Sequence, residues 1–335
     1  MNIIIPMAGM GKRMRPHTLT VPKPMLPIAG KPIVQRLCED LANSTTDKIE
    51  EIAFVIGRTF GAETEKNLLA IAESLGAKGK ITYQDEPLGT AHAILCAADS
   101  LHGNCIIAFA DTLFVADFKI DREKDGCIWV HHEKNPEQFG VVKIGDDGNI
   151  TDFVEKPKEF VSDLAIIGIY YFKDGLNLRQ ELQYLIDNNI KEKGEYQLTN
   201  ALENMKNKGL KFAPAAVIEW LDCGNYQSTV NTNHRVLENR KLENMVDSSV
   251  KNEQSVIIQP CYIGKNVTIH NSVIGPHVSL GDGCIIKDSI IKNSIVQTHT
   301  KLKNANIQHS LIGNYVEFHG KQDELSMGDY SITIS

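Results

Sequence analysis

MNIIIPMAGMGKRMRPHTLTVPKPMLPIAGKPIV, residues 1–34, opens on a short apolar run, Asn2 to Ile5, and passes into a turn holding Gly9 and Gly11. Five cations follow, Lys12, Arg13, Arg15, Lys23 and Lys31, and no Asp or Glu occurs before Glu39. The chain as a whole is acidic, with a formal net charge of -7. A purely basic segment in an acidic protein calls for a local anion. Ile3–Ile5 reads as a fully buried strand, and residues 7–30, rich in Gly and Pro, read as a long loop. Lys31-Pro32 is expected to open a helix, because proline suits a first helical position where its missing N–H has no bond to lose.

Outward from this stretch, strands alternate with helices. Glu51–Ile56, Lys80–Gln84 and Cys105–Phe109 read as strands, and Ala62–Leu75 and Gly89–Ala98 as helices. That alternation predicts an α/β fold with a mixed, mostly parallel sheet and helices on both faces. Such sheets bind ligands beyond the carboxyl ends of their strands. The loop at 7–30, the segment at 84–92 and Asp111 all fall at such ends. Further on, Cys127–His131, Gly140–Ile144, Ile150–Glu155, Ala165–Phe172 and Val217–Leu221 read as strands. Segments 174–188, 196–207 and 225–238 read as helices.

From residue 256 the texture changes. Ile257, Ile263, Ile269, Ile274, Leu280, Ile286, Ile291, Val296, Leu302, Ile307, Ile312 and Phe318 recur every five or six positions. Neither a helix nor a flat strand gives this spacing, and a hexapeptide β-helix repeat does. It predicts three to four coils of about 18 residues. The expected domains are therefore 1–240, a polar linker at 241–254, and a β-helix with tail at 255–335.

Composition is that of an ordinary globular protein, 42% hydrophobic and 23% charged. The negative balance argues against a nucleic-acid partner, which needs a basic surface to neutralise phosphates. No apolar run is long enough to span a bilayer, so no membrane partner is expected. Seven cysteines, none in a C-x-x-C pair and several in apolar runs, fit a reducing, cytoplasmic setting.

Several residues carry candidate chemistry. Gly9 and Gly11 let backbone N–H groups approach an anion closely, and Lys12, Arg13, Arg15 and Lys23 add charge. On the residues alone, phosphate binding and a strand–loop turn with solvated charges both stand, because the Walker pattern is absent. Gln84 carries an amide that can donate and accept at once. Thr90 reads as a helix cap and His92 as an ordinary helix residue. Asp111 and Asp222 each end an apolar strand. Each could be a turn residue, or together they could hold Mg²⁺, which takes one or two carboxylates and fills its octahedron with water and phosphate oxygens. Glu155 and Lys156 could be a surface ion pair.

The stretches AGMGKRMRP and VPKPMLPIAGKP resemble the signature of the sugar-1-phosphate nucleotidylyltransferases, a G-x-G-x-R-[LM] loop followed by P-K-x-[LM] and K-P. Matching elements continue in order to about residue 240: QDEPLGTAHA at 84–93, Phe139-Gly140-Val141-Val142, Val154-Glu155-Lys156-Pro157, and Gly194–Thr199. The resemblance implies a Rossmann-like catalytic domain with a left-handed β-helix behind it. It implies catalytic roles for Arg13 and Lys23, and nucleotide contacts at Ala8, Gly9, Gly11, Gln84, Gly89 and Thr90. Sugar-phosphate contacts fall at Gly140, Glu155 and Lys156, and Mg²⁺ at Asp111 and Asp222. Lys12 stands where the family usually has Thr, and Ile166 and Ile167 replace polar or small residues. The implied partners are a nucleoside triphosphate and a sugar 1-phosphate, with dTTP or UTP and glucose 1-phosphate first, and GTP with mannose 1-phosphate as an alternative. A non-catalytic regulatory subunit is a second alternative, against which the intact Arg13, Lys23, Asp111 and Asp222 argue. The β-helix looks too short for an acyltransferase and is expected to support a homo-oligomer.

Overall fold

The computed structural model describes residues 1–116 and 120–321. The tail at 322–335, grouped with the β-helix above, lies outside them. Two units are distinguished: Met1–Pro27 with Lys31–Ser228, and Ile28–Gly30 with the chain from Thr229 onward. The division at 228/229 falls earlier than the expected 240.

In the first unit β1 (Asn2–Pro6) leads into the long loop, and a small hairpin of β2 (Pro27–Ile28) and β3 (Lys31–Pro32) precedes α1 (Ile33–Asn43). Lys31-Pro32 does not open the helix as expected. Pro32 keeps an extended ψ of 144° and stands at the cap position, one residue before the first helical turn. There follow β4 (Glu51–Ile56), α2 (Gly61–Ser74), β5 (Lys78–Tyr83), α3 (Thr90–Leu95), β6 (Cys105–Ala108) and β7 (Thr112–Val115). Next come β8 (Gly126–His132), β9 (Gly140–Ile144), β10 (Ile150–Glu155), β11 (Leu164–Phe172), α4 (Gly175–Asp187), α5 (Leu198–Asn207), β12 (Phe212–Ala216) and β13 (Glu219–Asp222), and α6 (Tyr226–Asn239) starts at the end of this unit and falls mostly in the second.

The main sheet runs β10-β9-β11-β6-β1-β4-β5, with β8 and β12 branching from β11. β1 lies at its heart, parallel to β4 on one side and β6 on the other. Ile3, Ile4 and Ile5 are fully buried, each contributing about 1.5–3 kcal/mol. The chain moves from β1 to β4 to β5 in one direction, and β6 then returns to the other side of β1. This reversal opens a crevice beyond the carboxyl ends of β1 and β6, the place where α/β sheets bind ligands. Beyond β6 the sheet becomes mixed: β11 runs antiparallel to β6, β8 and β9 antiparallel to β11, β10 antiparallel to β9, and β12 parallel to β8.

In the second unit, parallel strands stack in three ladders of five, four and four. They form the β-helix expected from the repeat. Ile263, Ile269, Ile274, Leu280, Ile286 and Ile291 line its core. Coils take 16 or 17 residues rather than 18, as pairings such as Lys251↔Thr268 and Ile285↔Lys301 give. Gln254, Asn271, Asp288 and Asn304 turn the chain at positive φ. The serines that follow the first three, Ser255, Ser272 and Ser289, each accept an N–H from the next coil at 3.0 Å. The ladder begins at Lys251–Glu253, inside the segment expected to be linker, because its charged residues sit on the coil's outer face. Ile28–Gly30, the tip of the β2–β3 hairpin, packs in this unit: the Ala29 N–H donates to Asn233 Oδ1 at 2.9 Å, and a Cβ at Gly30 would meet the Tyr262 ring.

Leu280 is fully buried in the coil core, so Leu280→Ala is expected to cost about 2–5 kcal/mol. Ile290 on an outer face is 43% exposed, and Ile290→Ala should cost about 0.5 kcal/mol or less. Denaturant unfolding of the two variants checks the contrast.

Candidate active site

The loop after β1 is shaped by two short 3-10 turns. Gly11, at φ 57°, opens the first over Lys12–Met14, and the Met14 N–H closes it onto the Gly11 carbonyl at 2.9 Å. Met14 is fully buried and pins the turn, which leaves Lys12 and Arg13 exposed beside it. Lys23 opens the second turn and is only 8% exposed. Its ammonium lies 2.7 Å from Asp111 Oδ2, so the one buried cation of the loop is paired across the crevice with the loop that follows β6.

The two aspartates are set by a second, smaller sheet. β7 and β13 pair antiparallel with Thr112 opposite Asp222, and the Cys223 N–H donates to the Asp111 carbonyl at 2.9 Å. Asp222 Oδ1 accepts the Gly224 N–H at 2.9 Å, and a Cβ at Gly224 would collide with that carboxylate. Two carboxylates on neighbouring chain segments, one with an oxygen not engaged by Lys23, are the donor chemistry that a hard divalent cation uses alongside phosphate oxygens. No group of three or more His, Cys, Asp or Glu suited to a metal occurs among the described residues.

Gln84 follows β5, and its N–H donates to the Ile56 carbonyl at 2.9 Å. Gly89 caps α3 at φ 116°, and the Ala91 N–H donates to the Tyr196 carbonyl at 2.9 Å. Thr90 is therefore not the cap. It is the first helical residue, and its hydroxyl donates to Gln197 Oε1 at 3.1 Å and accepts the Leu198 N–H at 2.9 Å. These two hydrogen bonds tie the 84–90 segment to the 195–199 segment.

On the other side, Gly140 and Glu155 are paired across β9 and β10. Glu155 Oε2 accepts the Thr199 hydroxyl at 3.2 Å, and a Cβ at Gly140 would come within 3.2 Å of the same oxygen. Lys156 is held at φ 44°, with its ammonium 3.7 Å from Glu155 Oε1. Lys193 donates to the Lys156 carbonyl at 2.8 Å. Ile166 and Ile167 are buried.

A cavity of about 430 Å³ gathers most of these groups. Ala8, Gly9, Gly11, Arg13, Lys23, Gln84, Gly89, Thr90 and Asp111 all line it. Gly140, Glu155, Lys156 and Asp222 do not, although Gly224 does. The first three are joined to the cavity through one short segment, since Glu195 lines it and Thr199 reaches Glu155. Lys12 lines the cavity as one of the loop cations, and Glu195 lines it without having been assigned a role of its own from sequence. The signal for Glu195 was its place in the Gly194–Thr199 match, which marked the segment but not the residue.

A family model described as nucleotidyl transferase matches residues 2–239. A glucose-1-phosphate thymidylyltransferase of Streptomyces antibioticus is 29% identical over 95% of this chain and 93% of its own. The bifunctional protein GlmU of Methanococcus vannielii is also 29% identical, over 95% of this chain and 79% of its own. Among solved structures, a UDP-glucose pyrophosphorylase complexed with UDP-glucose superposes with a TM-score of 0.59 at 23% identity, covering 71% of this chain and 99% of that one.

Gly89 has both a positive φ and a neighbour that leaves no room, the Tyr196 backbone standing where a Cβ would go. Gly89→Ala is expected to destabilise the first unit by about 1–3 kcal/mol from backbone strain alone. An unchanged melting temperature would show that the segment relaxes freely.

Proposed function

The chain belongs to the nucleotidyl transferase family, and from that we propose that it joins a nucleoside triphosphate to a sugar 1-phosphate with release of pyrophosphate. We take dTTP or UTP and glucose 1-phosphate as the substrates. One observation carries the reading: a single cavity at the carboxyl ends of β1 and β6 collects Arg13, the Lys23–Asp111 pair and Gln84. Those are an anion site, an acid that can share a cation, and an amide suited to a base edge.

In this reading the loop backbone at Gly9 and Gly11 and the side chains of Lys12 and Arg13 hold the triphosphate. The sugar phosphate is held by Lys156, and its sugar hydroxyls by Glu155 and the Gly140 backbone. An oxygen of the sugar phosphate attacks the α-phosphorus in line, the bond to the β-phosphate oxygen breaks, and pyrophosphate leaves with that electron pair. No side chain needs to form a covalent bond, so the protein's work is positioning and charge stabilisation. Two anions must be brought together against their repulsion, and Lys23 is suited to this because its burial strengthens its field. Arg13 neutralises charge that grows on the departing pyrophosphate. Mg²⁺, held by Asp111 and Asp222, would supply Lewis-acid stabilisation at the α-phosphate when bound.

Pyrophosphate release from dTTP or UTP with glucose 1-phosphate is expected, lost on chelation and restored by Mg²⁺. Arg13→Ala and Asp111→Asn should each lower kcat by about 10²–10³-fold, the scale of losing one transition-state donor. Lys156→Ala should raise KM for the sugar phosphate more than for the nucleotide. Near-normal turnover in Arg13→Ala would exclude the role given to it.

A further inference from the structure

Gln84 offers its chemistry to the cavity through whichever end of its amide remains unused. Its Nε2 lies 3.2 Å from the Gly89 carbonyl oxygen and 3.1 Å from His92 Nδ1. A carbonyl oxygen can only accept, so the amide end facing Gly89 is the NH₂ group and cannot be the oxygen. That group has two hydrogens. One goes to Gly89, and the other meets His92 Nδ1, which must then present a lone pair. The ring is consequently neutral with its proton on Nε2. Its surroundings favour this form: burial lowers the pKa of His92, against the opposing effects of the Glu86 charge and of a hydrogen bond to the Glu86 backbone.

Both hydrogens of Gln84 are thus committed inside the protein. What the amide has left for a ligand is Oε1, an acceptor. Where Oε1 faces the ring position of a base edge rather than an exocyclic amino group, that position must carry an N–H, as N3 of uracil and thymine and N1 of guanine do. The ring nitrogens of cytosine and adenine at that edge carry lone pairs instead. A lone pair set against another leaves two acceptors unsatisfied, the arrangement by which polar sites reject near-isosteres.

We propose that His92 is a positioning residue whose Nδ1 lone pair, with the Gly89 carbonyl, fixes the Gln84 amide so that the site takes bases bearing a ring N–H and rejects cytosine. His92 touches no substrate in this scheme. It acts through Gln84, from a helix position where histidine would otherwise be unremarkable. The inference rests on the reading of the cavity as a nucleotide site, but not on turnover.

Calorimetric titration of the full chain with UTP, dTTP, GTP, CTP and ATP, without sugar phosphate, tests it. Wild type should bind UTP at least about tenfold more tightly than CTP, the factor expected for one mispaired hydrogen bond. His92→Phe, which removes the acceptor, should lose most of that ratio through weaker UTP binding. His92→Asn, whose Oδ1 can take the place of Nδ1, should keep it. A merely structural His92 would move the affinities of UTP and CTP together, and that outcome overturns the proposal. So does equal binding of UTP and CTP by wild type, no binding of either, or equal losses in the Phe and Asn variants. The ¹⁵N spectrum of histidine-labelled wild type gives a check that needs no variant: Nδ1 of His92 should be unprotonated at pH 7, and a protonated Nδ1 is the contrary result. Absence of pyrophosphate release with every substrate pair would strike the proposed reaction while leaving these binding ratios to be read.

Discussion

The ammonium of Lys23 can be nearly buried only because Asp111 Oδ2 stands 2.7 Å away. A buried charge without a counter-charge would cost several kcal/mol, so the pair constrains more than itself. It fixes the loop after β1 against the loop after β6, across the crevice that the chain's reversal around β1 creates. Asp111 is held in turn by the Cys223 N–H on its carbonyl, which brings the end of β13 to the same place. Three segments far apart in sequence are thereby gathered around one ion pair, and the cavity is the space they leave. In the proposed reaction that pair is also the point where the anion site and the cation site share a residue.

Much of this was legible in the chain. The buried run Asn2–Ile5, the alternation of strands and helices, and the six-residue beat of the C-terminal third each follow from side-chain burial at a fixed spacing, and the structure has those elements. What failed at close range was local. Lys31-Pro32 was expected to begin a helix because proline fits a first turn, yet Pro32 keeps the extended ψ that a hairpin strand requires. Lys251–Glu253 looked like linker because all three residues are polar and exposed: Asn252 stands over Ile269 of the coil core, but on the first strand of the ladder it carries no burial signal. The serines and positive-φ residues at the coil corners recur in sequence as Gln254-Ser255, Asn271-Ser272 and Asp288-Ser289, a signal that an eye set on apolar residues passes over.

The candidate site divides along similar lines. Residues whose chemistry is intrinsic, such as the loop cations and the strand-end aspartates, were readable one at a time. Residues whose chemistry depends on a neighbour were not. Gln84 looked able to donate and accept at once, and only its bonds to Gly89 and His92 show that its donors are already taken. His92 had no reason to stand out, since nothing in a helical pattern reveals which ring nitrogen holds the proton. Thr90 read as a cap, while its hydroxyl in fact joins residues 197 and 198, more than a hundred positions away.

The short tip Ile28–Gly30 has a consequence for how the protein is made. It lies between Lys23 and α1, yet the Ala29 N–H bonds to Asn233, 204 residues later, and Gly30 lies against Tyr262. A chain emerging from the ribosome at about 5–20 residues per second would present the basic loop tens of seconds at most, and ten at least, before those partners exist. The tip itself, Ile28–Gly30, finds its partners last, although it is among the first residues synthesised.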